Sequence, residues 1–167
     1  MPFSDLGTDT KLASKPFQFT EVIGGEVVAT APAGVDVDAT GEEAILYGQI
    51  PAETQQVVRI KIWGVATDAP IGAGGQMHLE VTLNAGASNA AYNTAAKSWN
   101  LVNHDGEEAD YVADDIVHWI IVDADVGNEL LNLAAGDSFE LRATWETGAD
   151  PDGATDCIFR VAEIEYV

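Results

Sequence analysis

The chain has 167 residues, with 28 Asp and Glu against 7 Lys and Arg and a formal net charge of −21. So few cations argue against a nucleic-acid groove and against docking on an anionic membrane surface, since both need clustered Lys and Arg. Disorder is not implied either, because 47% of the residues are hydrophobic and a chain stays unfolded only when high charge meets low hydrophobicity.

The N-terminus, Met1-Pro2-Phe3-Ser4-Asp5, has no basic region followed by an apolar one, so no signal peptide is expected and synthesis is placed in the cytoplasm. Residues 1–16, with Pro2 and Pro16, read as an N-terminal arm, and residues 17–167 as one domain. Residues 17–23, Phe-Gln-Phe-Thr-Glu-Val-Ile, roughly alternate and form the first predicted strand. Gly24-Gly25 marks a turn before a short run from Val27 to Thr30. Residues 31–42 are rich in Ala, Gly, Pro and Asp and read as a loop. Residues 44–50 are the next strand, stopped by Pro51, which cannot donate to a sheet ladder. In residues 56–66, Val58, Ile60 and Ile62 share one face, and Val57, Arg59, Lys61 and Trp63 share the other. Residues 76–84 alternate with a period of two, Met77, Leu79, Val81 and Leu83 against Gln76, His78, Glu80 and Thr82.

Residues 85–97 suggest a loop with one helical turn, Trp99 to Val102 a short strand, and residues 103–115 an exposed acidic loop. Residues 115–122 are apolar on both faces except for His118, the pattern of a central strand covered on both sides. Residues 137–146 place Phe139, Leu141, Ala143 and Trp145 inward. Residues 156–167 close the chain, and their apolar parity slips near Val161-Ala162, which predicts a bulge. No stretch shows sustained apolar spacing of 3.6. The chain is therefore expected to be all-β, a single antiparallel β-sandwich of about eight to nine strands.

The stretch Leu130-Leu131-Asn132-Leu133-Ala134-Ala135-Gly136-Asp137-Ser138-Phe139-Glu140-Leu141 resembles the turn that precedes a late strand in jelly-roll domains, including the C1q and tumour-necrosis-factor-like group. Gly136 suits the tight turn and Asp137 can bond its backbone. The closing Thr155–Arg160 and Glu163–Val167 resemble a final strand that inserts centrally in that fold. The likeness covers about the last 55 residues. It implies jelly-roll topology and assembly into oligomers, a trimer above all. Single jelly rolls of this size also occur among virion capsid and decoration proteins. No catalytic residues follow, since this fold group shares none.

Catalytic and metal motifs are scarce. His78, His104 and His118 have no spacing that preforms a metal site. None of the serines lies in a Gly-x-Ser-x-Gly elbow. Cys157 is the only cysteine, so the fold has no intrachain disulfide and Cys157 reads as a small buried strand residue. The chain is not expected to be an enzyme. The candidate cation is Ca2+, since hard cations take several oxygens from one turn. Asp150, Asp152 and Asp156 are its best candidate ligands, followed by Asp123 and Asp125 and by the pair Asp36 and Asp38. Ordinary solvated turns would show the same residues, because Asp-Pro and Asp-Gly form turns unaided.

Trp119 and Trp145 sit at inward parity, while Trp63, with Arg59 beside it, and Trp99 are candidates for a subunit interface. The leading reading is a structural assembly protein, a virion capsid or decoration protein forming homo-oligomers and touching other capsid proteins. The alternatives are a glycan-binding, lectin-like module dependent on calcium and an extracellular filament subunit. A shell of this charge repels its own copies at low ionic strength. The expected habitat is therefore saline, with salt or calcium assisting assembly.

Overall fold

The computed structural model describes residues 12–29, 33–39, 41–67, 78–87, 97–105, 116–122, 130, 133–146 and 157–167. Eleven strands run through them: β1 (Ala13–Gln18), β2 (Glu21–Ile23), β3 (Glu26–Val28), β4 (Gly34–Val37), β5 (Glu43–Gln49), β6 (Val57–Ala66), β7 (His78–Gly86), β8 (Lys97–Asp105), β9 (Ile116–Val122), β10 (Ser138–Glu146) and β11 (Cys157–Tyr166).

They form two antiparallel sheets. Sheet A has the order β3-β4-β11-β6-β9, with β1 also on β11, and sheet B has the order β2-β5-β10-β7-β8. Within this order, β4-β11-β6-β9 faces β5-β10-β7-β8, the strand arrangement of a jelly roll. The predicted all-β sandwich and its jelly-roll topology are the observed architecture. The last strand lies between β6 on one side and β4 and β1 on the other, as its resemblance implied. The core fills the space between the sheets. Trp119 and Phe159 are fully buried at its centre, with ring centroids 5.4 Å apart, and Phe19 packs on Phe159 at 5.7 Å.

The Gly136-Asp137 turn is built as its residues imply. Gly136 has φ +80, and Asp137 Oδ2 accepts a bond from the Ala134 N–H at 2.9 Å. Gly136 N–H donates to the Ile50 carbonyl, and Ile50 N–H donates to the Asp137 carbonyl, both at 2.9 Å, so the turn is stitched to the end of β5.

Local differences from the sequence reading have physical causes. Residues 17–23 are two strands in different sheets. The chain crosses at Phe19 and Thr20, whose N–H groups donate to Arg160 in sheet A and Ile45 in sheet B, both at 3.1 Å. β4 lies inside the predicted loop 31–42, where only four residues alternate and Asp and Gly mask them. Two bulges reset parity. One falls between Phe159 and Val161, next to the predicted slip. The other lies opposite Glu165-Tyr166, and it sends Val57 rather than Val58 into the core. The short strand predicted at 99–102 extends over Lys97–Asp105, which takes in the start of the predicted acidic loop. Among the described residues β9 follows β6 in sheet A, and His118, Ile120 and Val122 have further partners of their own. Trp119 and Ile121 face the core, while Ile116 and Val122 are 63% and 38% exposed.

Gly48 is a point where a side chain has no room. A Cβ there would lie 2.5 Å from Phe139 Cζ and 2.6 Å from the Phe17 ring. Those rings meet edge to face with centroids 5.0 Å apart, and their contact joins β1 to sheet B. Gly48→Ala is expected to destabilise by about 1–3 kcal/mol through overpacking. The urea midpoint measures it, and an unchanged midpoint would refute the close fit.

Candidate functional site

Three surface regions of the described residues carry charge or aromatic groups in an organised way. The first is the outward face of sheet A. Arg59, Lys61 and Trp63 alternate outward on β6. Register sets Arg59 beside Glu165 and Val122, Lys61 beside Glu163 and Ile120, and Trp63 beside Val161 and His118. The Glu165 carboxylate bridges two cations: it accepts from Arg59 Nε and pairs with Lys61 Nζ at 2.5 Å. Trp63 packs on the His118 ring, with centroids 5.1 Å apart. Ile116, Ile120 and Val122 continue the row on β9. The charges named here balance, Arg59 and Lys61 against Glu163 and Glu165, which is unusual on a chain of net charge −21.

Burial pushes the Glu165 carboxyl up, but the bonds from Arg59 and Lys61 outweigh burial and hold it below the ordinary glutamate value of 4.5. A carboxyl depressed by folding adds stability above its unfolded pKa and loses it as pH falls through the folded value. The stability advantage of the native protein over Glu165→Gln is therefore expected to be full at neutral pH and to shrink below 4.5. Urea midpoints of both proteins at several pH values measure it; a gap that persists in acid would refute the ion pairing.

Arg59, Trp63 and Trp99 are the interface candidates of the sequence. The structure sets Arg59 and Trp63 on one face of sheet A, whereas Trp99 lies in β8 of sheet B, opposite Leu83 in register. Lys61, Glu165 and the β9 row were not singled out as site residues. The β9 row had a signal in the second apolar face of residues 115–122, and Glu165 had none.

The second region is an acidic recess of about 290 Å³ lined by Gly24, Gly25, Glu26, Asp36, Asp38 and Glu42. Burial raises the Asp36 carboxyl, and the charges of Asp38, Glu26 and Glu42 raise it further. Asp36 Oδ1 is buried without a hydrogen-bond partner. Glu42 Oε2 accepts the N–H groups of Asp38 and Ala39 at 2.9 and 3.1 Å and so closes the turn. Of the acidic segments marked in the sequence, only Asp36 and Asp38 fall here. Asp123, Asp125, Asp150, Asp152 and Asp156 lie outside the described residues. Among the described residues, no group of three His, Cys, Asp or Glu is close enough to hold a metal ion.

The third region is the outward face of sheet B. Tyr47 on β5 is 49% exposed, and its hydroxyl donates to Glu21 Oε2 at 3.2 Å. Arg142 on β10 is held by two carboxylates, Nε donating to Glu140 Oε1 at 2.5 Å and Nη1 to Glu43 Oε2 at 2.8 Å. Thr82 and Asn84 follow on β7, opposite Arg142 and Glu140 in register.

No protein-family model matches the chain, and no curated protein does. Several solved structures are similar in fold. The CBM36-1 domain of a multidomain xylanase from the hindgut metagenome of Trinervitermes trinervoides has a TM-score of 0.47 and 11% identity, over 91% of this chain and 96% of that one. A carbohydrate-binding module CBM36, in complex with calcium and xylotriose, has a TM-score of 0.43 and 13% identity, over 90% and 98%. The structure of infectious bursal disease virus, Gx strain, has a TM-score of 0.41 and 11% identity, over 93% of this chain but 32% of that one. None of these likenesses bears on function at such scores, and the jelly-roll assignment rests on the strand order itself. Among the described residues, no helix is long and apolar enough to cross a membrane.

Proposed function

We propose that this chain is a non-catalytic structural protein that assembles into symmetric homo-oligomers, a trimer above all, through the outward face of sheet A, as a capsid or decoration subunit of a virion. The observation that carries this reading is the face of β6, β9 and β11 on which Arg59 and Lys61 offset Glu163 and Glu165, with Trp63 packed on His118 and Ile116 and Val122 exposed. Elsewhere the chain carries a large excess of carboxylates, so two copies meet with least repulsion where Arg59 and Lys61 offset Glu163 and Glu165. Aromatic groups and Arg at such a face are typical of interface anchors.

The remaining negative charge limits assembly at low ionic strength. Salt shortens the Debye length to about 3 Å at 1 M, and Ca2+ bound by the acidic turns would neutralise charge directly. Adding millimolar Ca2+ at low salt is expected to raise both the sedimentation coefficient and the thermal midpoint, and chelator should reverse both. Indifference to calcium with a salt-dependent coefficient would leave screening alone as the cause. A coefficient that never exceeds that of a monomer would refute assembly.

A further inference from the structure

We propose that the outward face of sheet B binds an uncharged glycan chain, with Tyr47 as the stacking surface and Arg142, Glu43 and Asn84 as the groups that bond its hydroxyls. This goes beyond the assembly reading, because it uses the opposite sheet. Tyr47 is a large aromatic that the fold leaves half-exposed on a strand face. The bond to Glu21 tethers its hydroxyl, so the ring is held in place before any ligand arrives. Ile45, one outward position along β5, is buried between the register neighbours Glu21 and Arg142, so it backs this face without being open to a ligand.

Arg142 is fixed from two sides by Glu140 and Glu43, yet these bonds use only Nε and one Nη1 hydrogen. A guanidinium has five N–H donors, so three remain on a group whose position is set. Two strands from Tyr47, Asn84 offers both an amide donor and an acceptor. Adjacent strands are about 4.8 Å apart, roughly the width of one sugar ring. Such a grid of ring, guanidinium, carboxylate and amide suits a chain of vicinal hydroxyls.

The charges select among occupants. Among the described residues, Glu21, Glu43 and Glu140 stand on this face with Arg142. Sulfated or uronic acid chains would be repelled, and a second copy of the same face would meet like charge. A neutral polyhydroxyl chain loses nothing to this field.

Affinity electrophoresis tests the proposal, with the full chain run through native gels containing a soluble β-glucan, an arabinoxylan or a galactomannan, and alginate as the anionic control. Retardation is expected in at least one neutral gel and not in alginate. Tyr47→Ala, at an exposed position, should weaken it roughly tenfold, while Tyr47→Phe, which keeps the ring, should retain it. Urea midpoints confirm that both variants fold. Absence of retardation in all three neutral gels overturns the proposal. So does equal retardation of native protein and Tyr47→Ala. A change of molar mass on Tyr47→Ala without any loss of retardation would make this face a subunit contact and overturn it as well.

Discussion

On the proposed assembly, Trp63→Glu is expected to leave monomers where the native chain forms oligomers. Trp63 stands on β6 in the outward face of sheet A, packed on His118 and flanked in register by Val161. In the assembled state the substitution removes an aromatic anchor and adds a carboxylate to a face whose charges balance. An unpaired charge desolvated at an interface is strongly destabilising, about 3–5 kcal/mol, and a symmetric contact repeats that penalty on each copy. The subunit dissociation constant should rise by roughly a thousandfold or more. Trp63 is half-buried in the single chain, so a variant with less effect on folding separates the two causes. Ile116 is 63% exposed at the end of β9. Ile116→Glu should leave the unfolding midpoint of the monomer within about 0.5 kcal/mol of native and still weaken assembly. Sedimentation velocity of both variants reads the result, and a native-sized oligomer in both would show that subunits meet elsewhere.

The second large effect lies in the core. Trp119→Ala is expected to destabilise by about 3–5 kcal/mol, the range for removing a buried large aromatic. The Trp119 side chain is fully buried and packs on Phe159. Gly64 lies beneath the same ring, with its missing Cβ position 3.7 Å from Trp119 Cζ3. Domains of this kind have a total stability of about 5–15 kcal/mol, so the variant would approach the folding threshold. Trp119→Phe should lose far less. The indole Nε1 is buried without a hydrogen-bond partner, and replacing it removes an unmet donor along with some packing. Urea denaturation of the three proteins measures both steps; equal losses for Ala and Phe would mean that the indole N–H is satisfied.

Much of this architecture is legible in the residues. Period-two alternation gave β7 and β10 to within two residues, because a half-buried strand writes its two faces directly into the sequence. The Gly136-Asp137 turn was equally plain, since Gly takes the positive φ and the Asp side chain bonds the turn backbone. Short or bulged strands were harder. β4 has four residues, and its apolar pair, Val35 and Val37, sits among Gly and Asp. The bulge in β6 exchanged Val57 for Val58, because an extra residue inverts parity without leaving any mark on composition.

The site was legible in part. Arg59 and Trp63 share a face because they are four residues apart on one strand, which period two guarantees. The partners Glu165 and His118 come from strands more than 50 residues away, and no local spacing announces them. Residues 115–122 show how one pattern can carry two meanings. Apolar side chains on both faces fit a central strand, and they fit equally a strand whose outward side chains are Ile116, Ile120 and Val122 beside Trp63 and Lys61. Glu26 and Glu42 join Asp36 and Asp38 only through the pairing of β3 with β4 and the turn before β5.

Light-scattering molar mass of the purified protein, from low salt to 1 M NaCl, tests the central claim most directly. A charge-coated chain that assembles through one neutral face should show a mass that is a multiple of 17.6 kDa and rises with salt. A mass of 17.6 kDa at every salt concentration, unchanged by calcium, would contradict it.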